Sequence, residues 1–286
     1  MRVVVTGARG LVGRALTRHC ADSGDDVLSY GHKDLDITDR EGVRQIILGN
    51  QPDVVVNCAA WTNVDGCESD EKKAFAANAT GPENLALACK EAECVFITIS
   101  TDYVFDGAKP GFYTQEDEPN PESVYAASKL EGERLATRAY DRSIIVRTGY
   151  VFGRGGTNFL STVVERIQKG ERLKAISDTY GTPTYAKDLA VRLRELAEKN
   201  VPGIYHVVNS GPGVTFEEFT RKAVALIGNS EVVVETVSAE ALNRPAKRPR
   251  NSRLRCLLTE KVGLPPMRDW ESALEEFCKP AKQAQA

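Results

Sequence analysis

The sequence predicts an α/β chain built on a doubly wound parallel sheet, with a smaller α/β unit towards its C-terminus. Three observations predict this. Short, near-continuous runs of β-branched residues recur through the first half, as suits strands buried on both faces. Each run is followed by a helical segment long enough for a parallel crossover. The first run leads directly into three glycines spaced three apart.

Taken in order, Arg2 to Val5 (RVVV) is the first strand, and the turn GARGLVG leads into a helix ending near Ala21. Gly7 allows the tight turn, Gly10 lets backbone amides approach a pyrophosphate, and Gly13 permits close helix packing. The helix N-terminus, opened by Leu11 and Val12, faces the anion, which makes this stretch a candidate dinucleotide site. Further strands are expected at Asp26–Tyr30, Asp53–Cys58 (DVVVNC), Cys94–Ile99 (CVFITI) and Ser143–Arg147 (SIIVR). The residues just beyond them, Gly31 to Lys33, Ala59 to Thr62 and Ser100 to Asp102, then share one edge with the glycine turn. Open parallel sheets bind ligands at that edge.

After Arg147 the pattern changes. TGYVFGRGGTNF is a glycine-rich connection, followed by a helix over Phe159–Lys169 and a short strand near Leu173–Ile176. A helix near Ala186–Lys199 returns the chain to the sheet, and GIYHVVNSG supplies one more strand there. The two units are therefore expected to interleave, residues 1–149 and 186–212 forming the nucleotide unit and residues 150–185 and 213–286 the substrate unit. A helix over Thr215–Ile227, a strand over Val232–Val237 and a helix over Trp270–Cys278 complete the second unit, before a polar tail from Lys279 that is expected to fray.

Composition excludes several classes. The 286 residues are 42% hydrophobic, enough for a sizeable core, and 40 acidic against 37 basic residues give no bulk charge for a nucleic-acid partner. The local exception is the basic run Arg244–Arg255. Seven cysteines without CxxC spacing and three scattered histidines (His19, His32, His206) predict no metal site. Reduced thiols suit a cytoplasmic protein. A first strand at Arg2 leaves no room for a signal peptide, and no apolar run nears the roughly 18 residues of a membrane span.

Chemistry concentrates in Ser100–Lys129, STDYVFDGAKPGFYTQEDEPNPESVYAASK. Tyr125 and Lys129 are four apart among helix formers, so they share one helix face. A phenol titrates near pH ~10, and a nearby ammonium is expected to lower that value and activate it as an acid-base group. Many amphipathic helices hold a Tyr and a Lys at this spacing by chance. Here Thr101, at the end of a strand on the ligand-binding edge, converges with the pair.

TGARGLVG, NCAAWTNVD, STDYVFDG, YAASKLEGE, RTGYVFG, SDTYGTPT and RPRNSRL follow the order and spacing of the extended short-chain dehydrogenase/reductase superfamily. Over nearly the whole chain the set resembles its dTDP-4-dehydrorhamnose reductase family. The resemblance implies a Rossmann-type domain with a smaller C-terminal substrate domain, and reduction of the C4 ketone of a dTDP-4-dehydro sugar by a nicotinamide cofactor. It implies that Tyr125 supplies the proton, that Lys129 bonds the nicotinamide ribose, and that Thr101 donates to the carbonyl oxygen. Thr101 and Asp102 are implied to contact the sugar, and Tyr150 matches a substrate-side position that is often Trp. Asn158 and Phe159 are candidates for the thymine or sugar, Arg248 and Ser252 for the pyrophosphate, and Asp36 with Ile37 for adenine. Ala59, Ala60, Trp61 and Thr62 complete the expected cofactor site.

Tyr103 stands where the related 4,6-dehydratases have Glu, which disfavours dehydration. A sugar-nucleotide 4-epimerase, and a non-catalytic regulatory subunit of the methionine adenosyltransferase type, are the alternatives. For cofactor choice, the second strand ends at Tyr30 and Gly31, and His32 and Lys33 follow. A donor and a cation there suit a 2′-phosphate, although Asp34 stands close by. NADPH is therefore expected, with NADH also accepted, in a monomer or homodimer.

Overall fold

The computed structural model describes residues 1–279. The rest of the polar tail expected to fray, residues 280–286, lies outside them. In chain order the elements are β1 (Arg2–Thr6), α1 (Leu11–Asp22), β2 (Asp26–Tyr30), α2 (Arg40–Asn50), β3 (Val54–Asn57), α3 (Val64–Ser69), α4 (Glu71–Phe75), α5 (Gly81–Glu91), β4 (Val95–Thr101), α6 (Val124–Ala139) and β5 (Ile144–Thr148). They continue with β6 (Val151–Phe152), α7 (Phe159–Gln168), β7 (Leu173–Ile176), β8 (Tyr180–Gly181), β9 (Thr184–Tyr185), α8 (Ala186–Lys199), β10 (Gly203–His206), β11 (Val214–Thr215), α9 (Phe216–Ile227), β12 (Val234–Val237) and α10 (Trp270–Cys278).

Six parallel strands form the main sheet in the order β10-β5-β4-β3-β1-β2. Because β1 has β2 on one side and β3 on the other, successive crossovers leave it in opposite directions, and the crevice between them opens at the carboxyl ends of β1 and β3. Val54, Val55 and Val56 of β3 are fully buried, as a strand covered on both faces demands. On one face α1 and α8 pack through Leu16, Cys20, Leu189 and Leu193. On the other lie α2, α5 and α6, through Val43, Ile47, Leu85, Cys89 and Ala136. A separate apolar cluster, rich in aromatics, joins Phe152, Leu160, Leu173, Tyr185, Phe219, Trp270 and Phe277. The small strand pairs β7 with β12, β6 with β9 and β8 with β11 surround it.

The sheet expectations fall within a residue or two of the observed strands, and β10 pairs with β5 as the returning strand. Between α4 and α5 the helix does not break but widens into one π-turn, Ala76–Thr80.

Candidate active site

Gly7 turns the chain out of β1 at φ +62°, where a methyl group would come within 2.5 Å of the Ala59 amide nitrogen. The turn and the β3 loop therefore meet backbone to backbone. Gly10 caps α1 with a bare main chain, and Gly13 brings α1 against the carbonyl oxygen of Gly7. Two cavities open here. One, of 460 Å³, is lined by Leu11, Val12, Thr62 and the residues at the end of β4. The other, of 620 Å³, lies towards β2 and shares Gly10, Cys58, Ala59 and Ala60 with the first.

The first lobe gathers Thr101, Asp102, Tyr125 and Lys129, with Tyr150, Asn158 and Phe159 opposite. Ser123 caps α6, its hydroxyl accepting from the Ala126 amide at 3.3 Å, so Tyr125 enters in the first turn and Lys129 one turn later. Lys129 Nζ donates to the Ile99 carbonyl at 2.7 Å. Thr101 Oγ1 donates to Asp102 Oδ1 and accepts from the Tyr103 amide, both at 3.2 Å. The Tyr103 ring stands edge-on to Tyr125 with centroids 6.2 Å apart.

All three ionisable groups are buried, and burial moves each towards its neutral form. The Lys129 ammonium is pushed down to about 8, with Glu133 and then Cys58 opposing the shift. The Asp102 carboxyl is pushed up to about 7. Its Oδ2 has no hydrogen-bond partner; the Ser252 hydroxyl stands near enough to oppose the shift, followed by that of Thr101. Burial also raises the Tyr125 phenol, with the Thr101 hydroxyl opposing. This corrects the expectation of a phenol lowered by Lys129: the ammonium is turned onto a main-chain carbonyl, and loss of hydration governs the phenol.

The opposite wall is aromatic. Tyr150 sits at φ +45°, its hydroxyl donating to the Thr179 carbonyl at 3.3 Å and its ring centroid 4.5 Å from that of Phe216. Phe159 meets Phe216 edge to face at 5.8 Å. Asn158 lines the cavity but is occupied as the cap of α7, accepting from the Ser161 amide at 2.9 Å and donating to the Val151 carbonyl at 3.0 Å. Phe216 also lines the cavity, and no sequence signal points to it, since an aromatic at the start of an amphipathic helix has the pattern of core packing.

In the second lobe His32, Asp36, Ile37 and Trp61 line the cavity, and Lys33 does not. The cation beside the end of β2 is instead Arg9, whose side chain lies across Gly31 and pairs with Asp34 at 3.0 Å. Asp34 also accepts from the Gly31 amide at 2.9 Å, which folds the loop back and leaves Lys33 outside. Arg9 stands between Gly7 and Gly10 in the glycine turn itself, where only the glycines carry a recognisable spacing. Asn78, inside the π-turn, clamps the Trp61 loop: its Oδ1 accepts from the Trp61 amide at 2.8 Å and its Nδ2 donates to the Trp61 carbonyl at 3.1 Å. Gly132 of α6 rides so close to this turn that a methyl group would strike the Asn78 carbonyl oxygen.

Neither residue expected at the pyrophosphate lines the two lobes. Arg248 is bidentate on Asp65 at 2.7 and 2.8 Å, an ion pair that holds Asp65 down to about 2, and it lines a third cavity of 660 Å³. Ser252 is buried beside Asp102 and lines neither lobe. Among the described residues no helix is long and apolar enough to cross a membrane, and no group of three or more His, Cys, Asp or Glu side chains is placed to hold a metal.

The family model described as the RmlD substrate binding domain matches residues 1–283. A dTDP-4-dehydrorhamnose reductase of Mycobacterium tuberculosis is 40% identical over 279 residues, covering 96% of this chain and 91% of that protein. One from Streptomyces griseus is 38% identical over 281 residues, covering 96% and 92%. The crystal structure of the Bacillus anthracis dTDP-4-dehydrorhamnose reductase in complex with NADP superposes with a TM-score of 0.92 at 34% identity, covering 96% of this chain and 98% of that one. The glycine turn, the edge of the parallel sheet and the match along the chain lead to one conclusion: the chain belongs to the RmlD family, that of the dTDP-4-dehydrorhamnose reductases.

Proposed function

We propose that this chain reduces the C4 ketone of dTDP-4-dehydro-L-rhamnose to dTDP-L-rhamnose with NADPH. The observation that carries the reading is the meeting of Thr101, Tyr125 and Lys129 at the crevice, opposite an aromatic wall, in a chain of the reductase family. The first amides of α1, left bare by Gly7 and Gly10, fit a pyrophosphate, and Ile37 and Ala59 give the second lobe apolar surface for adenine. Arg9 is the side chain placed for a 2′-phosphate, with Asp34 as its exchangeable partner; with no 2′-phosphate to bind, the Arg9–Asp34 pair is left intact, and NADH is accepted less well.

When bound, NADPH supplies the hydride to the ketone carbon. The protein does the rest. Tyr125, kept protonated by burial, gives its proton to the oxygen as negative charge develops there. Thr101 donates to the same oxygen and fixes its orientation. Lys129, with one donor spent on Ile99, directs its remaining donors to the nicotinamide ribose. Asp102 faces the sugar, Tyr150 and Phe159 stack on it, and Arg248 reaches the diphosphate only by leaving Asp65.

We assign residues 1–149 and 186–212 to cofactor binding and 150–185 with 213–286 to the substrate. The separate aromatic cluster, drawn only from the second set, supports this division. Seven free cysteines suit the cytoplasm, and a monomer or homodimer is proposed. The test is NADPH consumption by the purified protein, given the ketosugar made by upstream enzymes. NADPH binding without ketosugar-dependent oxidation would overturn the reading, and C4 epimerisation without net oxidation would replace it with an epimerase.

A further inference from the structure

Behind the catalytic face lies a buried charge pair that the reaction itself does not use. Glu133 continues the row of α6 that holds Tyr125 and Lys129, each four residues on. Its carboxylate is bidentate with Arg147 of β5 at 2.6 to 3.2 Å, and its Oε1 accepts from the Ser100 hydroxyl at 2.5 Å. Both side chains are essentially closed to solvent, 5% and 4% exposed, and the guanidinium lies over the Phe105 ring at 5.2 Å.

The geometry along β4 gives the pair a purpose. Three consecutive residues at the strand end are each tied to this one row of α6: Ile99 takes Lys129, Ser100 binds Glu133, and Thr101 stands beside Tyr125. Arg147 is the cross-strand neighbour of Ser100, so β5 backs the middle rung. A buried ion pair is weak support for stability alone, since apolar residues of like volume do as well or better; its distinctive property is that it fixes one register.

We propose that Glu133, locked by Arg147, is a positioning residue that pins the end of β4 to α6 and so sets Thr101 against Tyr125 and Lys129 against the ribose site. It acts through Ser100 and touches no substrate. This rests on the reductase reading above. The charged and titratable groups facing Lys129 are Glu133 on its own helix and Cys58 at the end of β3, with Arg147 behind Glu133.

The experiment compares Ser100→Ala, Glu133→Gln and the double change Glu133→Leu with Arg147→Met, which removes both charges together. Melting temperature, NADPH Kd, kcat, KM, the pH profile of kcat, and amide exchange over residues 95–103 without cofactor are measured on each. Ser100→Ala is expected to lower kcat about tenfold and Glu133→Gln about 100-fold, the scale of a small misplacement, with KM within about twofold. Glu133→Gln is also expected to move the alkaline limb of kcat to lower pH, because Lys129 loses a nearby anion and feels an unmatched Arg147. The double variant is expected to melt near the wild type yet keep the low kcat and show faster exchange at Thr101. Unchanged kcat and exchange in Ser100→Ala and Glu133→Gln, or recovery of wild-type kcat in the double variant, would overturn the proposal. A wild type that binds NADPH but reduces no ketosugar would instead overturn the reading beneath it, while the exchange data still judge the pinning.

Discussion

The two lobes of the crevice are built on opposite physical terms. In the lobe at the end of β4, Thr101, Asp102 and Lys129 are all closed to water and Tyr125 nearly so; Lys129 is tied to the strand through the Ile99 carbonyl, and burial shifts the acid-base groups towards neutrality. In the lobe beside β2, Arg9 is 69% exposed and Asp34 40%, and their pair is of a kind that water and salt weaken. The difference teaches where rate and where selectivity are stored. Preorganised, desolvated groups govern chemistry, while a loosely held ion pair can be exchanged for a ligand at little cost.

The sharpest way to break that contrast is Tyr125→Phe, which deletes the proposed proton donor and little else. Turnover is expected to fall by about 10² to 10⁴ with NADPH Kd unchanged; wild-type turnover would remove Tyr125 from the mechanism. Next in size is Asp102→Asn. The Asp102 carboxyl is raised in the folded protein from an ordinary 3.8 to about 7, so its neutral form is favoured. That contribution to stability is complete below pH ~4 and lost as pH rises through ~7. The amide should therefore be more stable at pH 8, by an amount on the order of 4 kcal/mol at most, and should bind the sugar less well. Denaturant melts at pH 5 and pH 8 check the sign, and a gain confined to pH 5 would refute it.

In the exposed lobe Arg9→Ala is expected to lower kcat/KM for NADPH relative to NADH about tenfold, one charge-assisted contact, whereas Lys33→Glu should leave the ratio within about twofold. The reverse result would return selection of the 2′-phosphate to Lys33. The smallest effect is expected from Arg248→Ala. Since its guanidinium is held by Asp65, substrate KM should change by less than about threefold, and the loss should appear in stability at about 1 kcal/mol. A rise in KM of about tenfold or more would show that Arg248 leaves Asp65 for the diphosphate.

The main sheet was legible because each strand is a short β-branched run followed by a crossover helix, and α8 and α10 end where their periodicity ends. The two-residue strands β6, β8, β9 and β11 were not, because pairing with distant segments, not local pattern, creates them. Thr101, Tyr125 and Lys129 were legible by type and spacing together. Their hydration was not: spacing places Lys129 near Tyr125 but does not say that its ammonium turns to Ile99. Arg248 with Asp65 joins residues 183 apart in the chain, and Glu133 with Arg147 joins a helix to the next strand, so neither pairing has a local sequence pattern. The π-turn left no trace either, since Ala76–Thr80 has the composition of ordinary helix.

Gly132 has a meaning for anyone who surveys this helix by mutation. The obstacle a side chain would meet there is the Asn78 carbonyl oxygen, part of a main chain that cannot rotate aside as a side chain does. Randomising residues 124–139 and selecting for activity should return glycine at 132 as stubbornly as tyrosine at 125. One position is constrained by reactivity and the other by clearance, and only a screen that scores folding apart from turnover can tell them apart.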